Sequence, residues 1–214
     1  MSKKQNTAMK TNNQRKIALI SSILGIFLAI VIVFLAFSAI YDNKEDTSMN
    51  PKVLVEMENG ENFTLELYPE YAPETVANFT KLVEEGFYDG VTFHRVVAGF
   101  MAQGGDPEGT GMGGSKDKIK GEFSANGFTQ NTLSHQKGVI SMARSMDMNS
   151  ASSQFFICYD DASFLDGQYA AFGKVIEGME TVENFLKVER EMNSMGEEAT
   201  PKTPIVMKRV TIVK

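Results

Sequence analysis

The stretch "FHRVVAGFMAQGGD", residues 93–106, carries an arginine inside a run of valine, phenylalanine and methionine. It reads as a half-buried strand running into a glycine turn. Charged side chains are rarely buried unless something requires them there. Arg95 therefore marks a candidate site: one fixed cation ringed by apolar groups, with no acid or nucleophile beside it.

Outward from that segment, short apolar runs recur. "KVLVEMENGENFTLELY" (52–68) alternates apolar and polar on both sides of Asn59-Gly60, which predicts a hairpin. "APETVANFTKLVEEGFY" predicts a helix: Pro73 suits its first turn, Val76, Phe79, Leu82 and Val83 share a face, and Gly86 is placed to end it. "VTFHRVV", "GVISMA", "SQFFICY", "YAAFGKV" and "PIVMKRVTIVK" read as strands, and "METVENFLKV" as a second helix of about ten residues. "EREMNSMGEEATPKTP" (189–204) reads as a long surface loop. Many short strands with two separated helices predict a mainly β domain, an antiparallel barrel or sandwich capped by helices.

The N-terminus differs. Residues 17–40 hold no charge across 24 positions. As a helix they would reach about 36 Å, enough to cross a hydrocarbon layer of roughly 30 Å. Lys3, Lys4, Lys10, Arg15 and Lys16 precede this run, whereas Asp42, Glu45 and Asp46 follow it with only Lys44 among them. The positive-inside rule then predicts a single-pass cell-membrane protein, with a cytoplasmic basic tail (1–16), a transmembrane helix (17–40), a polar linker (41–51) and an extracytoplasmic domain (52–214). The alternative is a cleavable signal peptide with Ala36 and Ser38 before the cut, but such apolar regions usually span about 7–15 residues.

Several function classes are disfavoured. Beyond residue 46, 15 Lys and Arg face 24 Asp and Glu, a net charge of −9, which does not suit nucleic acid. Two histidines and one cysteine cannot furnish an ordinary zinc site, and no cofactor is implied. Cys158, inside "QFFICY", reads as a buried inert thiol, and His94 and His135 as structural hydrogen-bonders. "GTGMGG" (109–114) matches a dinucleotide pattern in letters only, because no helix opening follows it; it reads as a flexible glycine-rich surface loop.

The segments "FHRVVAGFMAQGGD", "GVISMARSMDMNSASSQFFI" and "FLDGQYAAFGKVIEGM" together resemble the cyclophilin family of peptidyl-prolyl isomerases, in the right order over about residues 52–214. The resemblance implies an eight-stranded antiparallel barrel closed by two helices, acting on proline-containing polypeptides. It places Arg95 at the catalytic position. Phe100, Met101, Gln103, Ala143, Gln154 and Phe156 fall at groove positions, and Phe164, Leu165 and Tyr169 at the rim. By the same analogy Phe100, Met101, Phe156 and Leu165 form a pocket for the proline ring.

Three departures look bacterial: Ala98 where a proline often stands, and Phe164 and Tyr169 where many eukaryotic members carry Trp and His. Phenylalanine lacks the indole N–H donor, which leaves cyclosporin binding open. The alternative function is a binding or chaperone module with isomerisation incidental; Arg95 speaks against it, since a pure binder has no need of the cation. If the anchor is retained, the intact mass of membrane-fraction protein will be that of the whole 214-residue chain. A mass starting beyond residue 38 would establish cleavage.

Overall fold

The computed structural model describes residues 50–213. The proposed cytoplasmic tail, transmembrane helix and most of the linker lie outside the described residues. Among the described residues no helix is long and apolar enough to cross a membrane.

Eight strands close into an antiparallel barrel: β1 (Lys52–Met57), β10 (Ile205–Val213), β3 (Thr92–Val97), β4 (Met101–Asp106), β6 (Phe155–Cys158), β5 (Val139–Met142), β7 (Ala171–Glu177) and β2 (Asn62–Leu67), in that order around the ring. The predicted hairpin at Asn59-Gly60 joins β1 to β2, with Met57 N–H bonded to the carbonyl of Glu61 at 2.9 Å. Period-2 alternation does the rest there. Val53, Val55, Met57, Phe63, Leu65 and Leu67 are all buried in the barrel interior.

The strand read at Arg95 runs, as expected, into a glycine turn at Gly99. Strand β4, which is not among the strands read from the sequence, follows as Met101–Asp106 between β3 and β6. Gly105 has φ +87°, and a Cβ there would lie 2.4 Å from the carbonyl oxygen of Ser153, so only glycine permits this close approach.

The expected helix forms as α1 (Pro73–Glu84). It ends as the sequence predicts, with Gly86 at φ +70° and the amides of Gly86 and Phe87 reaching back to Val83 and Leu82. Its start has a remote cause. Ala72 supplies no side-chain cap. Instead buried Glu122 accepts the Glu74 and Thr75 amides on its two carboxylate oxygens at 3.0 and 2.8 Å. A carboxylate there satisfies orphan donors and sits favourably at the positive end of the helix.

Phe79 on α1 packs against Tyr88, Phe155 and Phe172, with ring centroids 5.0, 5.6 and 5.2 Å away. The aromatic column continues from Phe155 to Phe93 and on to Phe185. The second helix is shorter than expected: α2 covers Met179–Asn184, and Phe185–Lys187 tightens into a 3-10 turn. The stretch read as a long surface loop is a β-hairpin, β8 (Arg190–Met192) with β9 (Glu198–Pro201).

Replacing Glu122 with alanine should lower the free energy of unfolding by about 2 kcal/mol, because two amides lose a charged acceptor. Urea denaturation of the full chain measures this. A loss under about 0.5 kcal/mol would mean that water caps α1 equally well.

Candidate active site

Phe93 and Val96 are both in the barrel interior although three residues apart, which strict alternation forbids. The pairing with β4 explains it. Phe93 opposes Gly104 and Arg95 opposes Gln103, so His94 is an extra residue and the strand bulges. After the bulge Arg95 and Val97 lie on the outer face. Register then carries a row across four strands, Arg95–Gln103–Phe156–Ser141.

The outer face carries a second apolar cluster, separate from the barrel core. Met101, Phe156, Cys158, Ala162 and Leu165 are buried in it, with Val97, Phe100, Ala143 and Tyr169 packed at its edge. This is why β6 is buried along its whole length: Phe155 and Ile157 face the barrel core, and Phe156 and Cys158 face this cluster.

A depression of about 290 Å³ opens over the cluster, lined by Arg95, Phe100, Met101, Gln103, Ala143, Arg144, Phe156, Leu165 and Tyr169. Eight of the ten residues singled out from the sequence therefore share one concavity. The other two flank it. Gln154 lines an adjoining depression of about 410 Å³ bounded by Gly111–Ser115. Phe164 stands 64% exposed, its ring 5.7 Å from that of Phe100.

The polar side is a continuous string of hydrogen bonds. Arg95 Nη1 donates to Gln103 Oε1 at 3.3 Å. Gln103 Nε2 donates to Gln154 Oε1 at 2.8 Å, and Gln154 Nε2 donates to the carbonyls of Gly111 and Gly113 at 3.1 and 2.8 Å. That glycine-rich segment is a surface loop, as expected, with two of its carbonyls tied to the groove side by Gln154. The buried Asp106 carboxylate accepts the amides of Glu108, Thr110, Gly111 and Gly113. Burial pushes the Asp106 carboxyl up, but these backbone bonds outweigh it and hold it below its usual value.

Arg95 is not the solitary cation that its own segment suggests. Glu197, on the β8–β9 hairpin, accepts from Nε at 2.9 Å and from Nη2 at 2.8 Å. The ion pair is partly buried, with side chains 21% and 37% exposed. The bonds from Arg95 hold the Glu197 carboxyl below its usual range. Reading the hairpin as a loop hid this acid, and a separation of 102 positions left no local signal.

Arg144 was also missed. Its guanidinium sits 4.6 Å from the Tyr169 ring and donates to the carbonyl of Gln168.

The two histidines diverge. His135 is a structural hydrogen-bonder: Nδ1 lies 2.7 Å from Asp166 Oδ1, Nε2 lies 3.0 Å from Ser141 Oγ, and the ring stacks on Phe156. It thus pins the floor of the depression to the loop bearing Leu165. His94, expected to do likewise, has no hydrogen-bond partner at either ring nitrogen among the described residues; as the bulge residue it is set by backbone pairing. Burial depresses both imidazoles. Cys158 is fully buried and its thiol is pushed up to about 12, chiefly by burial. No cluster of metal-ligating side chains occurs among the described residues.

The described residues thus form a closed antiparallel barrel with an apolar depression beside a tethered guanidinium. Residues 52–212 match the family model described as cyclophilin type peptidyl-prolyl cis-trans isomerase/CLD. The chain is similar to peptidyl-prolyl cis-trans isomerase B of Bacillus subtilis, 48% identical over 128 residues that cover 60% of this chain and 85% of that one. It is likewise similar to a Helicobacter pylori peptidyl-prolyl cis-trans isomerase, 45% identical over 63% of this chain and 80% of that protein. Among solved structures, a Cryptosporidium parvum cyclophilin type peptidyl-prolyl cis-trans isomerase superposes with a TM-score of 0.64 at 30% identity, covering 77% of this chain and 98% of that one. The chain belongs to the cyclophilin-type peptidyl-prolyl cis-trans isomerases, and its class of activity is theirs.

Because the folded protein holds both imidazoles neutral below their ordinary value, the unfolded chain binds more protons as pH falls through about 6.5, and stability drops on acidification. Unfolding curves between pH 7 and 5 should show this. His135→Asn, which does not titrate, should lose less stability over that window than the parent; an equal loss would assign the effect elsewhere.

Proposed function

We propose that this isomerase turns X-Pro bonds in exported or surface polypeptides, held at the cell membrane by residues 17–40 with its barrel on the extracytoplasmic side. The unbroken apolar run and the basic tail before it support the location. The substrate is a short extended segment containing proline, and the family supports that class. One structural relative was crystallised in the presence of the dipeptide Ala-Pro.

The chemistry follows from the bond. Rotation about a peptide bond meets a barrier of about 18–20 kcal/mol, because the nitrogen lone pair is delocalised into the carbonyl. Prolyl bonds populate both isomers yet exchange over tens to hundreds of seconds. No covalent bond need break and no proton need move. The catalyst has only to bind the twisted amide better than either planar form.

At the twist the nitrogen becomes pyramidal, and its localised lone pair accepts a hydrogen bond. A guanidinium is always charged and presents rigid donors, so Arg95 fits that task. Phe100, Met101, Phe156 and Leu165 seat the pyrrolidine while the acyl side rotates. Gln103 and Gln154 face the backbone of the bound segment, Ala143 and Tyr169 wall the groove, and Phe164 lies at its rim. A thousandfold acceleration needs roughly 4 kcal/mol of differential stabilisation, within reach of one charge-assisted hydrogen bond plus orientation.

The observation that carries this reading is the guanidinium of Arg95 lining the same concavity as the four apolar seat residues. Arg95→Ala should lower kcat/KM on a proline tetrapeptide by about two orders of magnitude, a typical loss for one transition-state donor. Full-length protein in detergent, assayed by NMR exchange, tests it. An Arg95→Ala protein as fast as the parent would remove the arginine from the mechanism.

A further inference from the structure

The ion pair between Arg95 and Glu197 has no counterpart in the reading of the sequence, and its geometry is particular. A guanidinium has five N–H donors. Glu197 takes Nε–H and one hydrogen of Nη2, and Gln103 takes one hydrogen of Nη1. Among the described residues Arg95 makes no other hydrogen bond. Two donors remain, one on each terminal nitrogen.

The carboxylate is itself held. Asn193 Nδ2 donates to Glu197 Oε2 at 3.1 Å, while Asn193 Oδ1 accepts the amides of Met195 and Glu197, both at 2.9 Å. Backbone bonds from Asn193 N–H to the Glu197 carbonyl and from Gly196 N–H to the Asn193 carbonyl close the hairpin turn. Strand β9 in turn packs against β3, the strand that bears Arg95. The acid is delivered by a braced element, not by a loose side chain.

We propose that Glu197 is a positioning residue for the isomerisation: its two oxygens lock the plane of the Arg95 guanidinium, so that the two remaining N–H donors are presented to the twisted amide from a fixed frame. The inference rests on Arg95 being the catalytic cation. A bidentate contact fixes both the position and the rotation of the plane, which a single bond would not. An arginine side chain left free must be ordered during each turnover, whereas a tethered one is ordered beforehand. The opposite role, a latch that withdraws the cation, fits the geometry less well. The carboxylate occupies the Nε–Nη2 edge, Nη1 stays bonded to the groove residue Gln103, and Arg95 still lines the depression.

The test compares the full-length parent protein, Glu197→Gln, Glu197→Ala and Asn193→Ala in detergent. It reads kcat and KM on a proline tetrapeptide, the melting temperature, and the ¹⁵N-edited Nε–H signal of Arg95. Loss of positioning should lower kcat in Glu197→Ala by about tenfold or more while KM changes less than about twofold. The protected Nε–H signal should broaden or vanish. Glu197→Gln, isosteric and left with one acceptor oxygen, should fall between parent and alanine, as should Asn193→Ala. Melting temperatures close to the parent's would separate these effects from unfolding. An active parent with kcat unchanged or raised in both Glu197 variants overturns the inference and identifies the contact as an ornament or a latch. An inactive parent overturns the isomerase reading first, and the inference with it.

Discussion

One extra residue in β3 decides which way Arg95 faces. Phe93 and Val96 must both enter the barrel, and the bulge at His94 is how a strand of period two places residues three apart on one face. The same step turns Arg95 outward into register with Gln103 and Phe156. β10 solves a similar conflict: Met207 and Val210 are both interior, and the pairing with β1 slips by one residue between them. Without the first slip the arginine would point at a sealed aromatic core, where a charge without a partner costs several kcal/mol.

Outside the barrel, apolar and polar groups are segregated and each side is braced from a different part of the chain. The apolar seat rests on β4 and β6 and is tied by His135 and Asp166 to the turn carrying Leu165. The Asp166 carboxyl is pushed up by burial, but bonds from Ser134 and His135 outweigh this and hold it ionised, a stable anchor for that turn. The polar side runs from Glu197 through Arg95, Gln103 and Gln154 to the turn organised by Asp106. Each donor in that string points to an acceptor already fixed by something else. A depression built this way presents preset hydrogen-bond directions beside an apolar floor, the two features on which the proposed non-covalent catalysis of a rotation relies.

Much of this was legible beforehand. The Asn59-Gly60 turn, the period-3.6 face of α1 and the Pro73 and Gly86 boundaries are local chemistry, and local chemistry is written in neighbouring letters. The motifs around Arg95, Phe156 and Leu165 pointed to a common groove, and all three line it. The omissions were of another kind. Strand β4 went unread, and its Gly105 answers to the carbonyl of Ser153, far away in the sequence. "GTGMGG" is the surface loop it reads as, but the carboxylate that gathers its amides belongs to the preceding strand and left no signal within it.

The sequence by itself determined the alternation of the strands, the helical faces and the acidic balance. These depend only on residue type and spacing. Tertiary structure alone decided that Glu122 caps α1 and that Glu197 grips Arg95, and it sets Phe100, Met101 and Phe156, which only the family resemblance had assigned to a groove, outside the barrel core. Those outcomes depend on register and on contacts between residues tens of positions apart, and apolarity reads the same whether a side chain faces a core or a groove.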